Sequence, residues 1–387
     1  MKIELAHRIR ELPPYLFARI DALKNEERKK GKDLIDLGIG DPDLPTPPHI
    51  VAALAEAARD PSTHRYPSYV GMEAFRKAAA GFMQTRFGVT VDPQNEVICA
   101  IGLKEAIAHF PFAFVDPGDL VLCPDPGYPV YATLTRFAGG EPYLMPLRRE
   151  SGFLPDLDAI PADVARRAKI MWINYPNNPT AALAAPGFYE RVVAFAEKHD
   201  VIVASDLAYS EMYYEAPPAS FLETPGAREV GIEFHSLSKT YNMTGWRVGW
   251  ACGSAKLVGG LGQVKTNVDS GCFDAVQYAA IAALSGDQVC VARQREIYRE
   301  RRDVLCGGLT RAGFDVLVPK ASFYTLVANP KGMSSIDFAS RLLSEAGVVA
   351  TPATGFGPSG EGFVRLTLCA DKARLAQAVD RLAALRL

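Results

Sequence analysis

From Glu96 onward, short apolar runs alternate with longer segments of helical periodicity, and this alternation constrains the fold more than any other feature. The runs typical of strands are EVICAIG, DLVLCPD, KIMWINYP, VIVASD, GIEFHS and RVGWACGS. Strands separated by helices in this way predict an α/β fold with a mostly parallel sheet between layers of helices. Ligands bind such sheets at the carboxyl ends of the strands, so the polar residues that follow these runs are the first candidates for a site.

The pattern changes after about Asp274. A long charged helical segment leads into FDVLVPKASFYTLVAN, which predicts a pair of strands. A helix over Ser335–Ala346, the strand GFVRLTLC and a closing helix are expected to follow. A chain of 387 residues usually forms two domains. We therefore predict an N-terminal arm (1–45) that contributes to the small domain, a large domain (46–274) and a smaller α+β domain (275–387).

Composition and charge argue against several classes of function. The net charge is −2 and no segment is polybasic, so we expect no nucleic-acid partner. No apolar run is long enough to cross a bilayer, and the charged N-terminus, interrupted by Pro13 and Pro14, does not resemble a signal peptide. The seven cysteines form no CxxC pair, and no His, Cys or carboxylate spacing suggests a metal site. We expect a cytoplasmic protein without a metal.

The most informative segment is HSLSKTYNMTGWRVGW, which follows a predicted strand. It brings Ser236, Ser238 and Lys239 into one turn, and Arg247 lies eight residues after the lysine. Hydroxyls and a guanidinium are good donors to a phosphate, and a buried lysine near other cations loses its proton readily. A surface turn with an incidental lysine and arginine is the alternative. The preceding strand and the following GWRVG favour the anion site.

SLSKTYNMTGWRVG resembles the lysine segment of the class I aminotransferases, enzymes of fold type I that use pyridoxal 5'-phosphate. The resemblance implies that Lys239 holds the cofactor as a Schiff base, with Ser236, Ser238 and Arg247 as ligands of its phosphate. It also implies a large domain with a mostly parallel sheet between helices, joined to a smaller α+β domain. The expected reaction transfers an amino group from an amino acid to a 2-oxo acid, and Lys239 moves the proton.

Further segments match this family in order along the chain. ASDLAYSE implies that Asp206 pairs with the ring nitrogen of the cofactor and Tyr209 with the ring hydroxyl oxygen, to which Asn178 of NYPNNPT is a second donor. Without the resemblance, such an Asp would be a turn former or helix cap, and NNPT an ordinary turn. In DPGYPVY, Tyr128 is expected to stack on the ring, whereas Tyr131 is interpreted as a packing residue.

Two segments concern the phosphate and a second subunit. AIGLKEAIAHF predicts a helix whose N-terminal amides suit a phosphate. Leu103 and Lys104 stand there where relatives carry small or hydroxylated residues, so their side-chain roles stay open, and Lys104 is equally consistent with a solvated lysine. Tyr66 of RYPSYVG would otherwise be a loop aromatic. The resemblance places it on the phosphate of the neighbouring subunit, which implies a homodimer with shared active sites.

The substrate residues follow from one strand and the N-terminal arm. Arg365 lies on the otherwise apolar GFVRLTLC, where a guanidinium needs an anionic partner. The resemblance implies that it pairs with the substrate α-carboxylate. Gly40 is expected to let the arm approach the substrate closely, and Asn178 to contact it. Tyr15 is a candidate for the distal end of the substrate. Three further candidates, equally consistent with loop or dimer contacts, are Tyr69, Asn267 and Asp269.

Along nearly the whole chain the motifs are particularly similar to those of LL-diaminopimelate aminotransferases, which implies LL-2,6-diaminopimelate and 2-oxoglutarate as substrates, in lysine metabolism. An aminotransferase for alanine, aspartate or aromatic amino acids stays open, as does a carbon–sulfur β-lyase, because these enzymes share the cofactor residues. A transcription regulator is disfavoured, since the chain has no room for a helix-turn-helix module. His109, His199 and His235 are given little weight as acid–base groups. His199 lies at a helix end and His235 precedes the serines on a strand, and the family carries no chemistry at either of these two positions.

Overall fold

The structure is a computed structural model that describes residues 2–10, 12 and 16–385. Its strands form a seven-stranded sheet, a four-stranded sheet and a two-stranded pair. The strands are β1 (Ile35–Asp36), β2 (Val97–Ala100), β3 (Leu120–Asp125), β4 (Glu141–Pro146), β5 (Ala168–Ile173), β6 (Ile202–Asp206), β7 (Gly231–Ser236), β8 (Gly249–Gly253), β9 (Val316–Leu317), β10 (Tyr324–Ala328), β11 (Val348–Val349), β12 (Thr351–Pro352) and β13 (Phe363–Thr367).

Helices connect these strands and cover their faces. They are α1 (His7–Arg10), α2 (Leu16–Lys29), α3 (Pro48–Ala57), α4 (Glu73–Phe87), α5 (Leu103–Phe114), α6 (Val130–Phe137), α7 (Ala162–Arg167), α8 (Phe188–His199), α9 (Ala227–Val230), α10 (Leu237–Thr240), α11 (Ala255–Val268), α12 (Asp274–Ser285), α13 (Val289–Arg311), α14 (Ser335–Ala346) and α15 (Lys372–Ala383). None of them, within the described residues, is long and apolar enough to span a membrane.

The large sheet has the order β2-β8-β7-β6-β5-β3-β4. Five neighbouring strands of this order, β7, β6, β5, β3 and β4, run parallel to one another. Strand β8 is antiparallel to both of its neighbours. The predicted mostly parallel sheet is therefore confirmed. The edge strand β4 was missed in the sequence because its residues, EPYLMP, include two prolines, which strands tolerate mainly at a sheet edge.

Both faces of the large sheet are buried. One face packs with α5 and α11 around side chains such as Phe110, Trp172 and Phe234. The other face packs with α4, α8 and α12 around Met171 and Trp250. Because neither face meets water, the central strands are apolar at nearly every position, which explains the continuous apolar runs in the sequence.

The four-stranded sheet is antiparallel, with the order β12-β13-β10-β9, and its core includes residues of α13, α14 and α15. The predicted strand pair of FDVLVPKASFYTLVAN is β9 and β10. Close to this sheet, β1 pairs in parallel with β11, which joins residues near the N-terminus to the C-terminal part of the chain. The domain boundaries at residues 45 and 274 stay predictions. The helix after the second boundary, α12, packs on α3 and α4.

Candidate active site

The carboxyl ends of neighbouring strands meet at one edge of the large sheet. There β6 ends at Asp206, β7 ends at Ser236 and β5 is followed by Asn174. Strand β3 leads through a short turn to Tyr128. Parallel strands bring these ends together, and the structure has a cavity of about 320 Å³ at this point. The cavity also reaches residues of the N-terminal part of the chain and of β10, so it lies between the two main sheets.

Most of the residues predicted for the site line this cavity. They are Gly40, Leu103, Lys104, Tyr128, Asn178, Asp206, Tyr209, Ser236, Ser238, Lys239 and Arg247. Tyr66 does not line it: the side chain lies on the surface, and the residue is 89% exposed in the single chain. Tyr15 lies outside the described residues. The roles assigned to all of these residues stay predictions.

Lys239 lies in the one-turn helix α10, directly after β7. Its Nζ donates to the carbonyl oxygen of Gly40 at 3.2 Å, and no carboxylate of the described residues lies within ion-pair distance. Burial lowers the pKa of the Lys239 amine, and the nearby charges of Arg247 and Arg365 lower it further, against the opposing influence of Cys369 and Asp41. The amine is therefore easier to deprotonate than an exposed lysine, as a nucleophile or base requires.

Arg247 and the start of α5 form one end of the cavity. Arg247 has a left-handed backbone (φ 56°), and its Nη1 donates to the carbonyl oxygen of Thr244 at 2.7 Å. Gly102, the N-cap of this helix, has a left-handed φ of 73° that favours glycine, and a Cβ there would lie 2.1 Å from Nη2 of Arg247, so a larger residue would displace the guanidinium. The guanidinium therefore lies beside the N-terminal amides of α5, next to Leu103 and the exposed Lys104. This end has the donors for a phosphate.

Asp206 is buried at the end of β6. Its Oδ1 accepts from the backbone N–H of Ala208 at 3.2 Å, and its Oδ2 accepts from the hydroxyl of Tyr131 at 2.6 Å. Burial raises the pKa of the Asp206 carboxyl to about 6, although both hydrogen bonds oppose the rise. The interpretation of Tyr131 as a packing residue is wrong for its hydroxyl. Only the ring packs, on Trp172, because the start of α6 turns the side chain beneath the strand end.

Arg365 lies on β13, is 3% exposed and adjoins the cavity without lining it. Its Nη1 donates to Oδ1 of Asn178 at 2.8 Å and its Nη2 to the carbonyl oxygen of Gly38 at 2.7 Å. The guanidinium lies 4.1 Å from the ring centre of Tyr324 and 4.5 Å from that of Phe356. Its Nε is buried without a hydrogen-bond partner, and no carboxylate of the described residues pairs with it. Burial lowers the pKa of this guanidinium, as expected for a cation that lacks an anion.

Sequence reasoning missed five residues of the cavity wall: Ile107, Asn174, Ala208, Thr244 and Tyr324. Asn174 had a signal, because it is the first polar residue after the apolar strand β5. Its Nδ2 donates to the carbonyl oxygen of Asp206 and its Oδ1 accepts from the N–H of Asn178, so it ties two site segments together.

No feature of the sequence pointed to Tyr324, since it lies in β10, far along the chain from the other residues of the cavity wall. Its hydroxyl is 3.4 Å from that of Tyr209, which also faces the cavity. A Cβ on Gly40 would lie 2.0 Å from the same Tyr324 oxygen. Gly40 therefore allows a close approach of the arm to this tyrosine, in addition to the contact of its carbonyl oxygen with Lys239.

A second polar cluster lies apart from the cavity wall. Ligand atoms of Glu105, His109 and Asp269 lie within 4.8 Å of one another. Spacing in the sequence did not suggest this group, because Asp269 is remote from α5 in the chain. The ammonium of Lys265 already pairs with both carboxylates at 3.0 Å, so the cluster contains its own cation.

His235 and His199, the other two histidines considered as acid–base groups, also lie away from the cavity wall. The buried His235 pairs with Glu233 and stacks on Trp250, and His199 contacts Phe195.

Comparisons with known proteins identify the family of this chain. The family described as aminotransferase class I and II matches residues 32–382. The chain belongs to this family. It is 60% identical to the LL-diaminopimelate aminotransferase of Syntrophobacter fumaroxidans over 378 residues, which cover 97% of each chain.

Among solved structures, apo-BacF from Bacillus subtilis is similar with a TM-score of 0.95 at 39% identity, covering 100% of this chain and 99% of that one. A single mutant of Thermus thermophilus aspartate aminotransferase is similar with a TM-score of 0.93 at 31% identity, covering 99% of both chains. The expected fold type and enzyme class are thereby confirmed. The protein is an aminotransferase that depends on pyridoxal phosphate.

The cavity fits this cofactor. Among the described residues, the cations Lys104 and Arg247 line it together with Lys239 and one carboxylate, Asp206, so the wall carries an excess of positive charge that suits a phosphate. The space beside Gly102 keeps the guanidinium and the helix amides together. At the other end, the buried Asp206 offers a carboxylate for a protonated ring nitrogen.

Proposed function

We propose that this aminotransferase moves an amino group between LL-2,6-diaminopimelate and 2-oxoglutarate, in lysine and diaminopimelate metabolism. The identity of 60% to a named LL-diaminopimelate aminotransferase over almost the whole chain supports these substrates. One structural observation carries the reaction type: two basic side chains, Lys239 and Arg365, lie at one cavity without a carboxylate partner among the described residues. One can act as a base and the other can bind a carboxylate.

Lys239 has the central role in the proposed mechanism. Bound pyridoxal phosphate supplies an aldehyde that condenses with amines and a ring that accepts electrons from the substrate Cα, which makes the Cα proton acidic. The Nζ of Lys239 removes this proton and later returns it. Its lowered pKa favours the neutral amine that such a base needs near neutral pH.

The remaining cavity residues hold and orient the reactants. Ser236, Ser238 and Arg247 would bind the phosphate together with the backbone N–H groups of Leu103 and Lys104. The carboxylate of Asp206 would keep the ring nitrogen protonated. Donors to the ring oxygen are provided by Tyr209 and Asn178, and Tyr128 provides a flat surface for the ring. All of these except the backbone amides are side chains on the cavity wall.

Arg365 would fix the substrate by its α-carboxylate. In the structure its two Nη groups donate to uncharged oxygens, those of Asn178 and Gly38. A carboxylate is a stronger acceptor than an amide oxygen for a guanidinium, and it can accept both donors at once. A bound substrate would therefore exchange these partners for a bidentate ion pair, which sets the position of Cα relative to Lys239.

The distal end of the substrate carries a second amino-acid group, which needs several polar partners. The proposed partners are Tyr15, Tyr69, Asn267 and Asp269. Asp269 is engaged by Lys265 within the chain, and Asn267 donates to the carbonyl oxygen of Gln263. Both lie on a surface beside α5 and α11, where a second subunit would bring them to the neighbouring site.

We also propose a homodimer in which Tyr66 reaches the site of the other subunit. Exposed apolar side chains on residues 66–70, on α5 and on residues 268–278 support it: Tyr66, Tyr69, Val70, Phe112, Val268, Phe273 and Tyr278. Protein interfaces commonly bury exposed apolar side chains of this kind. Light scattering is expected to give twice the mass of one chain, 42.0 kDa. The seven cysteines are all unpaired thiols, which supports a reducing compartment such as the cytoplasm.

The test of the substrate uses the purified enzyme with bound cofactor. The visible absorbance of the cofactor is followed as single amino acids are added without an acceptor. LL-diaminopimelate is expected to remove the band of the lysine-bound form, and 2-oxoglutarate to restore it. L-Lysine is the matched control, since it has the same chain but lacks the distal carboxylate, and it should leave the band unchanged.

Other results would redirect the proposal. If alanine, aspartate or an aromatic amino acid removes the band and LL-diaminopimelate does not, the enzyme is an aminotransferase for another donor. Pyruvate and ammonia formed from cystathionine without an acceptor would indicate a carbon–sulfur β-lyase. In either case the proposed substrate is wrong and the cofactor site stands.

A further inference from the structure

The contact between Tyr131 and Asp206 joins a helix to the end of a strand inside the protein. Tyr131 lies in the first turn of α6, and Asp206 is the last residue of β6. The phenol oxygen and Oδ2 of the carboxylate are 2.6 Å apart, a short distance typical of hydrogen bonds to an ionised acceptor. Both residues are almost completely buried, at 1% and 5% exposed, so water does not compete for this bond.

The ring of Tyr131 is held firmly. It stacks on Trp172 with ring centres 4.8 Å apart and planes 13° apart. Its other neighbour is Tyr128, which contacts it edge to face at 5.8 Å. The hydroxyl therefore has a fixed position, and one oxygen of the Asp206 carboxylate is fixed with it.

No other side chain in the described part of the structure donates to this carboxylate. Its second oxygen accepts only from the N–H of Ala208. Four more titratable groups act on Asp206 or its partner: His235 and Glu233 on β7, Tyr209 after β6, and Tyr128 just before α6. His235 is itself paired with Glu233, and neither it nor any lysine or arginine of the described residues forms an ion pair with Asp206. Among the described residues, Tyr131 is thus the side chain that acts most directly on the orientation and charge of this carboxyl group.

We propose that Tyr131 is a positioning residue of the active site, whose hydroxyl fixes the orientation of the Asp206 carboxylate and stabilises its ionised form. The inference rests on the proposed pairing of Asp206 with the ring nitrogen of the cofactor. An ionised, correctly directed carboxylate keeps that nitrogen protonated, and burial alone would favour the neutral acid instead. Tyr131 thereby offsets part of the effect of burial.

The first test compares Tyr131→Phe with Tyr214→Phe in the full chain without cofactor. Tyr214 is a matched control, because it is also buried and its hydroxyl donates to a carbonyl oxygen, that of Ser322, away from the cavity wall. Infrared spectroscopy follows the C=O stretch of the protonated Asp206 carboxyl, assigned by its absence in Asp206→Asn. The titration midpoint is expected to rise by about one to two pH units in Tyr131→Phe, since that carboxylate loses a hydrogen bond. The control should match the wild type.

The second test uses the enzyme loaded with pyridoxal phosphate. The kcat of Tyr131→Phe is expected to fall roughly 10- to 100-fold with little change in KM, the size found when the support of a site ligand is removed. Tyr214→Phe should retain its kcat. If both variants titrate and turn over like the wild type, Tyr131 only packs and the proposal is wrong.

Two further outcomes are distinguishable. If Tyr131→Phe does not fold, fluorotyrosine at position 131 replaces it: the ring and hydroxyl remain, the hydroxyl becomes a stronger donor, and the Asp206 titration should move to lower pH. An unchanged midpoint would overturn the proposal. If the wild type transaminates no amino acid, the proposed function fails, while the infrared titration still decides the effect of Tyr131 on Asp206.

Discussion

Two of the lysines that are largely removed from water, Lys265 and Lys239, differ in what surrounds them. Lys265, on α11, is fully buried and pairs with Glu105 and Asp269 at 3.0 Å each. Burial alone would lower its pKa, but the two carboxylates raise it instead. Lys239 has no carboxylate partner among the described residues: its Nζ donates to the carbonyl oxygen of Gly40 and lies 5.6 Å from the ring centre of Phe323, and its pKa is lowered. The presence of a carboxylate therefore decides whether a buried lysine stays a cation or becomes a base.

Two buried arginines repeat this contrast. Arg301 forms a bidentate ion pair with Asp43, at 2.6 and 2.7 Å, and its pKa is raised. Arg365 has no carboxylate partner among the described residues, and its pKa is lowered. Lys265 and Arg301, away from the cavity, are thus neutralised by carboxylates of the chain. Lys239 and Arg365, at the cavity, are left for a ligand. Such a local departure from ordinary charge pairing is typical of functional sites.

The largest expected effect that tests this contrast is on Lys239. Lys239→Ala should abolish turnover, because no other amine of the cavity wall is expected to move the Cα proton. The variant should still bind pyridoxal phosphate through the phosphate and ring contacts, measured by fluorescence after dialysis. Its unfolding midpoint should not fall, because no carboxylate loses a partner. Normal turnover in steady-state assays would contradict the assignment of Lys239 as the base.

A smaller loss is expected at the carboxylate end. Arg365→Lys should lower kcat/KM by on the order of 10²- to 10³-fold, since lysine cannot donate to both carboxylate oxygens in one plane. The control is Arg301→Lys, the same change in a buried arginine that already has its carboxylate. It is expected to alter kcat/KM by no more than about threefold, because the ammonium of the introduced lysine can still pair with Asp43 and the site lies away from the cavity wall. Equal losses in the two variants would remove the distinction between them.

The cations that already have carboxylate partners should contribute to stability instead of to turnover. Lys265→Met removes the cation between Glu105 and Asp269 and leaves two carboxylates facing each other. Because these carboxylates keep some access to water, the free energy of unfolding should fall by about 2 to 3 kcal/mol, below the cost for a fully buried pair. Urea unfolding of the chain without cofactor measures the change. Lys239→Met is the matched variant and should cost less or nothing.

The smallest effect is a difference in pH dependence. The folded-state pKa of Lys239 lies below the ordinary value of 10.5, so between the two values the unfolded chain binds the extra proton, and the contribution of Lys239 to stability rises with pH. The pKa of Lys265 is raised, so its contribution is complete below 10.5 and is lost as the pH rises through the folded-state pKa.

Urea unfolding of the wild type and of the two methionine variants, from about pH 7 to about pH 10, tests these signs. The stability of the wild type relative to Lys239→Met should increase with pH, while its stability relative to Lys265→Met should stay constant over the same range. Parallel slopes for the two variants would mean that the surrounding charges do not distinguish the lysines.

Much of the site was predictable because its residues follow strand ends. Asp206 and Ser236 end buried strands and Lys239 lies just beyond one, so the parallel sheet alone brings them to one edge. The motifs then indicated the chemistry of each side chain. The same logic predicted the strands of the large sheet, apart from the proline-containing edge strand β4, and the helix α5 that follows β2.

What could not be predicted depends on contacts between distant segments. The hydroxyl of Tyr131 meets Asp206 across 75 positions of the chain, and Tyr324 enters the cavity from a different sheet. Periodicity reports which face of an element is buried, but it does not report the partner of a single polar atom on that face. The cluster of Lys265 with Glu105 and Asp269 was missed for the same reason, because α11 and α5 become neighbours only when the protein folds.

The short segment that contains Gly38 and Gly40 affects which ligands the site can bind. The carbonyl oxygens of these two glycines occupy donors of Arg365 and Lys239, respectively. A ligand that reaches these donors exchanges partners instead of filling empty positions. An uncharged ligand would replace one neutral acceptor by another and gain almost nothing, whereas an anion gains a stronger bond. The two backbone carbonyls therefore compete with the ligand, and they should favour an amino acid with a free carboxylate over its amide or ester, which lacks that negative charge.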